Sequence, residues 1–270
     1  MITEERKQAF LELLWEHYRQ RGRHDLPWRI AEPDGQFDPY KIMVSELMLQ
    51  QTQVSRVIPK YEAFLAQFPT AKHLAQAELG AVLRAWQGLG YNRRAKFLWQ
   101  ASQRVAKEAS FPSSLEELVA LPGVGANTAG AIMAYAWNKP VVFIETNIRT
   151  VIIHHFAPEA QNVSDSFIRE VVNTVLDVEH PREFYWALMD YGAFIKTQVR
   201  NNSQSKHYAK QSSFQGSRRQ VRGKVLRLLA DHPHSLSDLE TEIADERLGG
   251  VLAELVAEEL IRQAHGVYDL

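Results

Sequence analysis

The chain has no cysteine. A disulfide, a thiolate zinc site and a cysteine-ligated iron–sulfur cluster are therefore excluded. There is no run of 18 apolar residues, so no segment is expected to cross a membrane, and the amino terminus lacks the basic-then-apolar pattern of a secretion signal. An intracellular protein is expected, cytoplasmic or associated with the nucleoid if it is bacterial or archaeal. Acid is missing locally. Residues 191–230 hold nine Lys/Arg and no Asp or Glu, whereas residues 1–190 hold 20 basic and 22 acidic residues and 231–270 hold two and ten. The net charge of −1 thus hides a basic belt that suits a polyanion, its plainer alternative being a solvated linker. His154 and His155 lack partners at metal-ligand spacing and read as packing residues; no metal and no cofactor is expected.

With 270 residues, 45% of them hydrophobic, the chain can bury a full core. Apolar residues recur at helical spacing over 2–21, 40–52, 57–67, 71–76, 79–87, 94–109, 164–178 and 183–195. An all-α fold follows. The last 54 residues change character: 218–230, 235–244 and 247–262 read as three helices, with a short hairpin or wing around Gly266, an order that resembles a winged helix. Its third helix carries Glu254, Glu258 and Glu259, which argues against reading a DNA groove and for packing or a protein contact.

The stretch Leu121-Pro-Gly-Val-Gly-Ala-Asn-Thr-Ala129 joins a short apolar helix to an Ala-rich one and reads as a helix-hairpin-helix over 114–136. Gly123 and Gly125 can take positive φ and carry no side chain, so the backbone around Gly123, Val124, Gly125 and Thr128 can approach a phosphate at the second helix's N-terminus. An ordinary glycine-capped corner is the alternative. Upstream, Glu46 is the lone charge in Ser45-Glu-Leu-Met-Leu-Gln-Gln-Thr-Gln-Val54. A desolvated carboxylate has a raised pKa and can serve as a general acid near neutral pH; a surface glutamate, or one paired to Arg29, is the plainer reading. Under the plainer reading Gln50 and Gln51 are ordinary polar positions; under the functional one they hydrogen-bond base edges or fill the gap left by an extruded nucleotide. In Gly88-Leu-Gly-Tyr-Asn-Arg-Arg94, Tyr91 can stack on a base, Asn92 supplies an amide, and Arg93 and Arg94 can hold phosphate; a glycine-terminated helix with a solvated arginine pair is the alternative.

These stretches, with Leu26-Pro-Trp-Arg29 and Ala187-Leu-Met-Asp-Tyr-Gly192, occur in one order over residues 9–196 that resembles the MutY-type, adenine-excising branch of the helix-hairpin-helix base-excision DNA glycosylases. The resemblance implies two helical subdomains over 1–196, followed here by a basic linker (197–216) and the winged-helix-like module (217–270). It implies that Glu46 protonates the flipped base, that Glu145 stabilises the oxocarbenium-like sugar, and that Asn147 helps position the site. Trp28, Arg29, Gln50, Gln51, Tyr91, Asn92 and Asn127 are expected at the base pocket or intercalation turn, and Gly123, Val124, Gly125, Thr128, Arg93, Arg94, Arg218 and Arg219 at DNA phosphate.

This chain departs from the family in several places. Glu145 stands where Asp is usual, and Asn127 stands where bifunctional relatives carry a Schiff-base lysine, so a monofunctional enzyme without lysine-dependent lyase is expected. The four-cysteine cluster is absent, with Phe194, Phe214 and the basic belt as structural substitutes. The domain that recognises 8-oxoguanine is replaced by the terminal module, and Tyr91-Asn92 replaces paired aromatics. The expected partner is double-stranded DNA with a mispaired or damaged base, adenine opposite 8-oxoguanine or guanine above all; a protein partner on the acidic module and a monomeric state are further expectations. Excision of another base (uracil, hypoxanthine, mismatched thymine) and non-catalytic binding of lesions are the competing readings.

Overall fold

A computed structural model describes residues 2–199, 201–208 and 212–270. Arg200 and Lys210 of the basic belt, and so part of the expected linker, lie outside the described residues. In chain order the helices are α1 (Glu4–Arg21), α2 (Pro39–Leu49), α3 (Val54–Gln67), α4 (Ala71–Gln76), α5 (Leu79–Ala85), α6 (Arg93–Val105), α7 (Leu115–Val119), α8 (Ala126–Trp137), α9 (Thr146–Phe156), α10 (Asp165–Val175), α11 (Pro181–Gln198), α12 (Arg218–Asp231), α13 (Leu236–Ile243) and α14 (Leu248–Ala257). Strands β1 (His234–Ser235), β2 (Arg262–Ala264) and β3 (Val267–Asp269) complete the carboxy-terminal part. No helix among the described residues is long and apolar enough to cross a membrane.

The chain folds as two compact units. The first gathers Met1–Glu46, Pro112–Ala120 and Val124–Lys210. Its central helix is α11, which packs on α1, α8 and α9. Two glycines set how closely. At Gly130 of α8 an added Cβ would stand 2.8 Å from Phe143 Cβ, and at Gly192 of α11 it would stand 2.7 Å from Asn147 Cβ and meet the Asn147 carbonyl. Only a bare Cα lets the 141–144 segment lie on α8 and the first turn of α9 lie on α11. The apolar run Val141–Ile144 is accordingly a packed connector rather than a strand, with Phe143 and Ile144 buried. Local signals fix the ends: Thr3 and Ser164 cap α1 and α10, Ser114 and Glu117 form a capping box on α7, and Asn138 ends α8 in the left-handed region at φ 54°.

The second unit gathers Leu47–Phe111, Leu121–Gly123 and Gln211–Leu270. Within it, α12 packs on α5, α13 and α14, and the strands form an antiparallel sheet in the order β1-β3-β2. His265 and Gly266, at φ 51° and 81°, make the two-residue turn between β2 and β3 that positive φ at both positions permits. The carboxy-terminal module and the earlier helices share this unit. Gln87 donates to the Leu226 carbonyl at 3.0 Å, Lys96 donates to the Glu258 carbonyl at 2.7 Å and pairs with Glu259 at 2.6 Å, and an added Cβ at Gly80 would stand 2.9 Å from the Leu270 carbonyl oxygen.

Several helices end earlier than apolar spacing indicates. The second stops at Leu49 because Gln51 turns into positive φ at 56°, and α14 stops at Ala257 ahead of Glu259 at φ 54°. A side chain on Gly192 has no room in this packing. Gly192→Ala is expected to lower stability by about 2 kcal/mol through overpacking, read as a lower urea midpoint with unchanged slope.

Candidate active site

Glu46 lies on α2 among Met43, Val44, Leu47 and Met48, none of which has accessible surface. The carboxylate itself is half-buried. Its expected counter-charge, Arg29, is engaged elsewhere. Arg29 sits in a 3-10 turn, Pro27–Arg29, with Trp28 buried beside it, and its two terminal nitrogens donate to both oxygens of Asp190 at 2.7 and 2.9 Å. Arg23 adds a backbone N–H bond at 2.8 Å and a side-chain bond at 2.7 Å to the same carboxylate. Burial alone would raise the Asp190 pKa, but hydrogen bonds and charge from Arg29, with Arg23, hold it below the usual carboxylate value. Glu46 has no such partner. Desolvation, then repulsion from Glu145, raise its pKa well above the usual value against the weaker pull of Arg29.

Glu145 occupies the N-cap position of α9 without turning its side chain back to cap the helix. Its place follows from the close packing upstream: the Ile144 N–H donates to Asn127 Oδ1 at 3.3 Å, and Arg169 donates to the same oxygen at 3.0 Å. Asn127 is thus a brace for the connector, and its oxygen is not offered to a base. Desolvation raises the Glu145 pKa too, opposed by the cations Arg149 and Lys196. Asn147, two residues on, donates to the Met189 carbonyl at 3.0 Å and accepts from Lys196 Nζ. The Tyr135 phenol of α8 completes the group: burial, Glu46 and Glu145 push its pKa up, so it stays protonated. Two half-buried carboxyls, a phenol and an ammonium therefore converge in the first unit. Such a set can present a protonated acid and an anion at the same pH.

The hairpin has the expected shape. Gly123 takes φ 77°, and an added Cβ there would stand 2.6 Å from Phe97 Cβ. Gly125 instead is extended at φ −86°, a conformation open to any residue; its role is empty space, since nothing lies within 4 Å of its would-be Cβ. No side chain caps the first turn of α8. Val124 is buried, so only its backbone is available to a phosphate, and Thr128 is half-buried in that first turn.

In the second unit Arg94 corrects the sequence reading. Its guanidinium is buried and donates to the carbonyls of Leu47 at 2.6 Å, Met48 at 3.0 Å, Gln50 and Gly90 at 3.1 Å, and to Thr52 Oγ1 at 3.1 Å. It ties the Gln50–Gln51 bend to the Gly88–Tyr91 turn and is not free for phosphate. Arg93, exposed over the Phe97 ring, keeps that possibility. Tyr91 is exposed at positive φ, 48°, and Arg219 donates to its hydroxyl at 3.0 Å and to the Ser212 carbonyl at 2.7 Å. Asn92 caps α6 without a side-chain bond. Arg218 pairs with Glu254 at 2.8 Å and Arg222 with Glu258 at 2.6 Å. Glu254 of α14 and Glu258 just after it are thus matched by cations of the same unit rather than gathered into a free acidic face, and Arg218 and Arg219 already have internal partners.

A cysteine-ligated cluster after α11 has no donors in this chain. Phe194 does pack there, on Tyr191 and His17 at ring-centre distances of 6.4 and 5.2 Å, whereas Phe214 is exposed and cannot serve as a core substitute. Amides hold the segment instead, Asn201 donating to the Thr150 carbonyl at 3.0 Å and Gln204 to the Pro158 carbonyl at 2.7 Å. Sequence reasoning missed Asp190, Tyr135 and Lys196. Asp190 had a signal, being the lone carboxylate in the apolar run from Phe184 to Ile195, as Glu46 is in its own run; Lys196 was hidden in the basic belt.

A helical fold with a phosphate-suited hairpin and a pair of desolvated carboxyls defines a class of base-excision protein. The profile of the HhH-GPD superfamily base excision DNA repair protein matches residues 44–173, and this stretch is a domain of that superfamily. It is 34% identical over 190 residues to the adenine DNA glycosylase of Buchnera aphidicola subsp. Baizongia pistaciae, covering 69% of this chain and 53% of that one. It is 38% identical over 183 residues to the adenine DNA glycosylase of Mycobacterium tuberculosis, covering 66% and 59%. The chain thus spans between half and three-fifths of these relatives. The structure of a thermostable thymine-DNA glycosylase superposes with a TM-score of 0.62 at 24% identity, over 72% of this chain and 88% of that one, which shows the shared fold.

The buried Arg29–Asp190 pair makes a stability test. Asp190→Asn strands the Arg29 charge and is expected to cost about 3 kcal/mol at pH 7 in urea unfolding. Because the folded-state pKa of Asp190 is depressed, its contribution is present above the ordinary Asp value and is lost as pH falls through the folded value. The parent-to-variant gap should therefore be constant from pH 6 to 8 and narrow only below about pH 4.

Proposed function

We propose that this chain is a monofunctional DNA glycosylase that extrudes a base from duplex DNA and hydrolyses its N-glycosidic bond, adenine opposite 8-oxoguanine or guanine being the substrate. The observation that carries this reading is the unequal carboxyl pair. Glu46, without an ion-pair partner among the described residues and raised furthest, is the acid; Glu145, beside Arg149 and Lys196, is the anion. The adenine relatives support the choice of base.

In this mechanism the Glu46 carboxyl gives its proton to the extruded purine. The C1′–N9 bond then breaks with its electron pair leaving on the base. Positive charge spreads over C1′ and O4′ of the sugar, and the Glu145 carboxylate stabilises it in a water-poor site where a fixed charge is worth most. Water adds at C1′, its proton is taken by the Glu46 carboxylate, and the acid is restored. The first turn of α8, whose N-cap Gly125 has no side chain and open space at its would-be Cβ, suits a backbone phosphate. Asn127 stands in that first turn, so no lysine is available there for β-elimination, and strand cleavage requires alkali.

Single-turnover assays on duplexes with A opposite 8-oxoguanine, A opposite G, U opposite G, T opposite G and hypoxanthine opposite T test the reading. Alkali-dependent cleavage of the adenine duplexes is expected, reduced about a thousandfold in Glu46→Gln. The rate should fall as pH rises through the elevated Glu46 pKa, since the protonated form is the acid, and fall again in acid as Glu145 loses its charge. Cleavage of another duplex instead would reassign the base. Salt-sensitive binding with no product from any duplex would sink the enzymatic reading.

A further inference from the structure

We propose that Lys196 is the positioning residue and counter-ion of the sugar-side carboxylate Glu145, acting through the Asn147 amide that it grips. The inference rests on the glycosylase reading and deepens it at a residue that the reading names only as a neighbour of Glu145. Lys196 lies in the last turn of α11 and donates from Nζ to Asn147 Oδ1, while the Asn147 amide nitrogen is fixed to the Met189 carbonyl. Both polar ends of Asn147 are thus engaged within the protein, and its amide is a bracket between α11 and the start of α9. Gly192 makes the bracket possible by letting the Asn147 backbone touch α11.

Charge accounting singles out the same lysine. The groups that act on Glu145 or on its neighbour Glu46 are Arg29 from the 3-10 turn, Tyr135 from α8, Arg149 from α9 and Lys196 from α11, besides the two carboxyls' action on each other. Arg29 is bound to Asp190, and Arg149 makes a two-point pair with Asp165 at 2.9 and 2.8 Å. Tyr135 is neutral and Glu46 repels. Among the described residues Lys196 is the cation of this set that no other carboxylate pairs. Half-buried, it loses hydration, which lowers its pKa, while Glu145 acts to raise it. An ammonium in that position favours the ionised form of Glu145 and opposes the effect of burial.

The test compares the parent with Lys196→Met and Lys196→Arg, which keep length and differ in charge. Titration of Glu145 by carbon-13 NMR of glutamate-labelled protein, with the resonance assigned from Glu145→Gln, reads the counter-ion directly and needs no activity. In Lys196→Met the Glu145 titration is expected to move up by about one pH unit, and in Lys196→Arg to stay near the parent value. In single-turnover excision the acid limb of the Lys196→Met profile should move with it, about tenfold slower near its foot, while the alkaline limb set by Glu46 stays in place. A Glu145 titration unmoved by Lys196→Met, or moved equally by Lys196→Arg, would overturn the assignment. A parent protein without excision activity would overturn the glycosylase reading instead, and the NMR result would still decide the counter-ion.

Discussion

The buried pair between Arg29 and Asp190 is the interaction on which the site depends. It joins the turn after α1 to the middle of α11 by a two-point ion pair with side chains only 4% and 2% exposed. Its larger consequence is what it withholds. A guanidinium near Glu46 would ordinarily neutralise it and pull its pKa down. Asp190, with Arg23 as second donor, takes that charge first, so Glu46 is left with desolvation and with Glu145. One carboxylate is held in its ionised form by its partners, and the other is left to burial and a like charge, which favour its neutral form. Isolated ion pairs of this kind seldom repay their desolvation in stability, and a role in setting the charge of a neighbour is a sufficient reason for keeping one.

Position is set by a different device, the glycine contact. Gly130 admits Phe143, which seats the 141–144 connector; Asn127 and Arg169 then fix the backbone of Ile144, and Glu145 follows at the N-cap of α9. Gly192 admits Asn147 from the opposite side. Glu145 therefore stands at the head of a helix clamped at near-contact distance rather than on a free loop. Rigid mounting suits chemistry that exploits small differences in environment between two like groups.

How much of this was legible in the sequence varied with the kind of physics involved. Helices declared themselves through apolar spacing. Their ends were less visible, because Gln51 and Glu259 leave the helix through positive φ that their residue types do not advertise. Glu46 was legible because a single charge in an apolar run must be explained. The same logic reaches Asp190, and it fails for Arg94, where a guanidinium in a glycine-rich turn looks solvated yet lies under five backbone carbonyls. Lys196 was unreadable in principle. Whether a lysine faces solvent or an amide 49 residues away is decided by tertiary packing, which a one-dimensional charge count cannot resolve.

The absence of cysteine also takes on a physical meaning in the folded chain. The stretch after α11 is held by neutral hydrogen bonds: Asn201 and Asn202 on Thr150, Gln204 on the carbonyls of Pro158 and Ala160, and Val163 bridged on both sides by the backbone of Gln204 and Lys206. Each such bond contributes on the order of 1 kcal/mol. Together they anchor the segment to α9 and to the loop that follows it. Thr150 bonds back to the Thr146 carbonyl one turn earlier, so the amide clasp ends at the same helix that has Glu145 at its N-cap. Where ligation through cysteine is impossible, side-chain amides and packed backbone hold α9 in place, and the site inherits its rigidity from them.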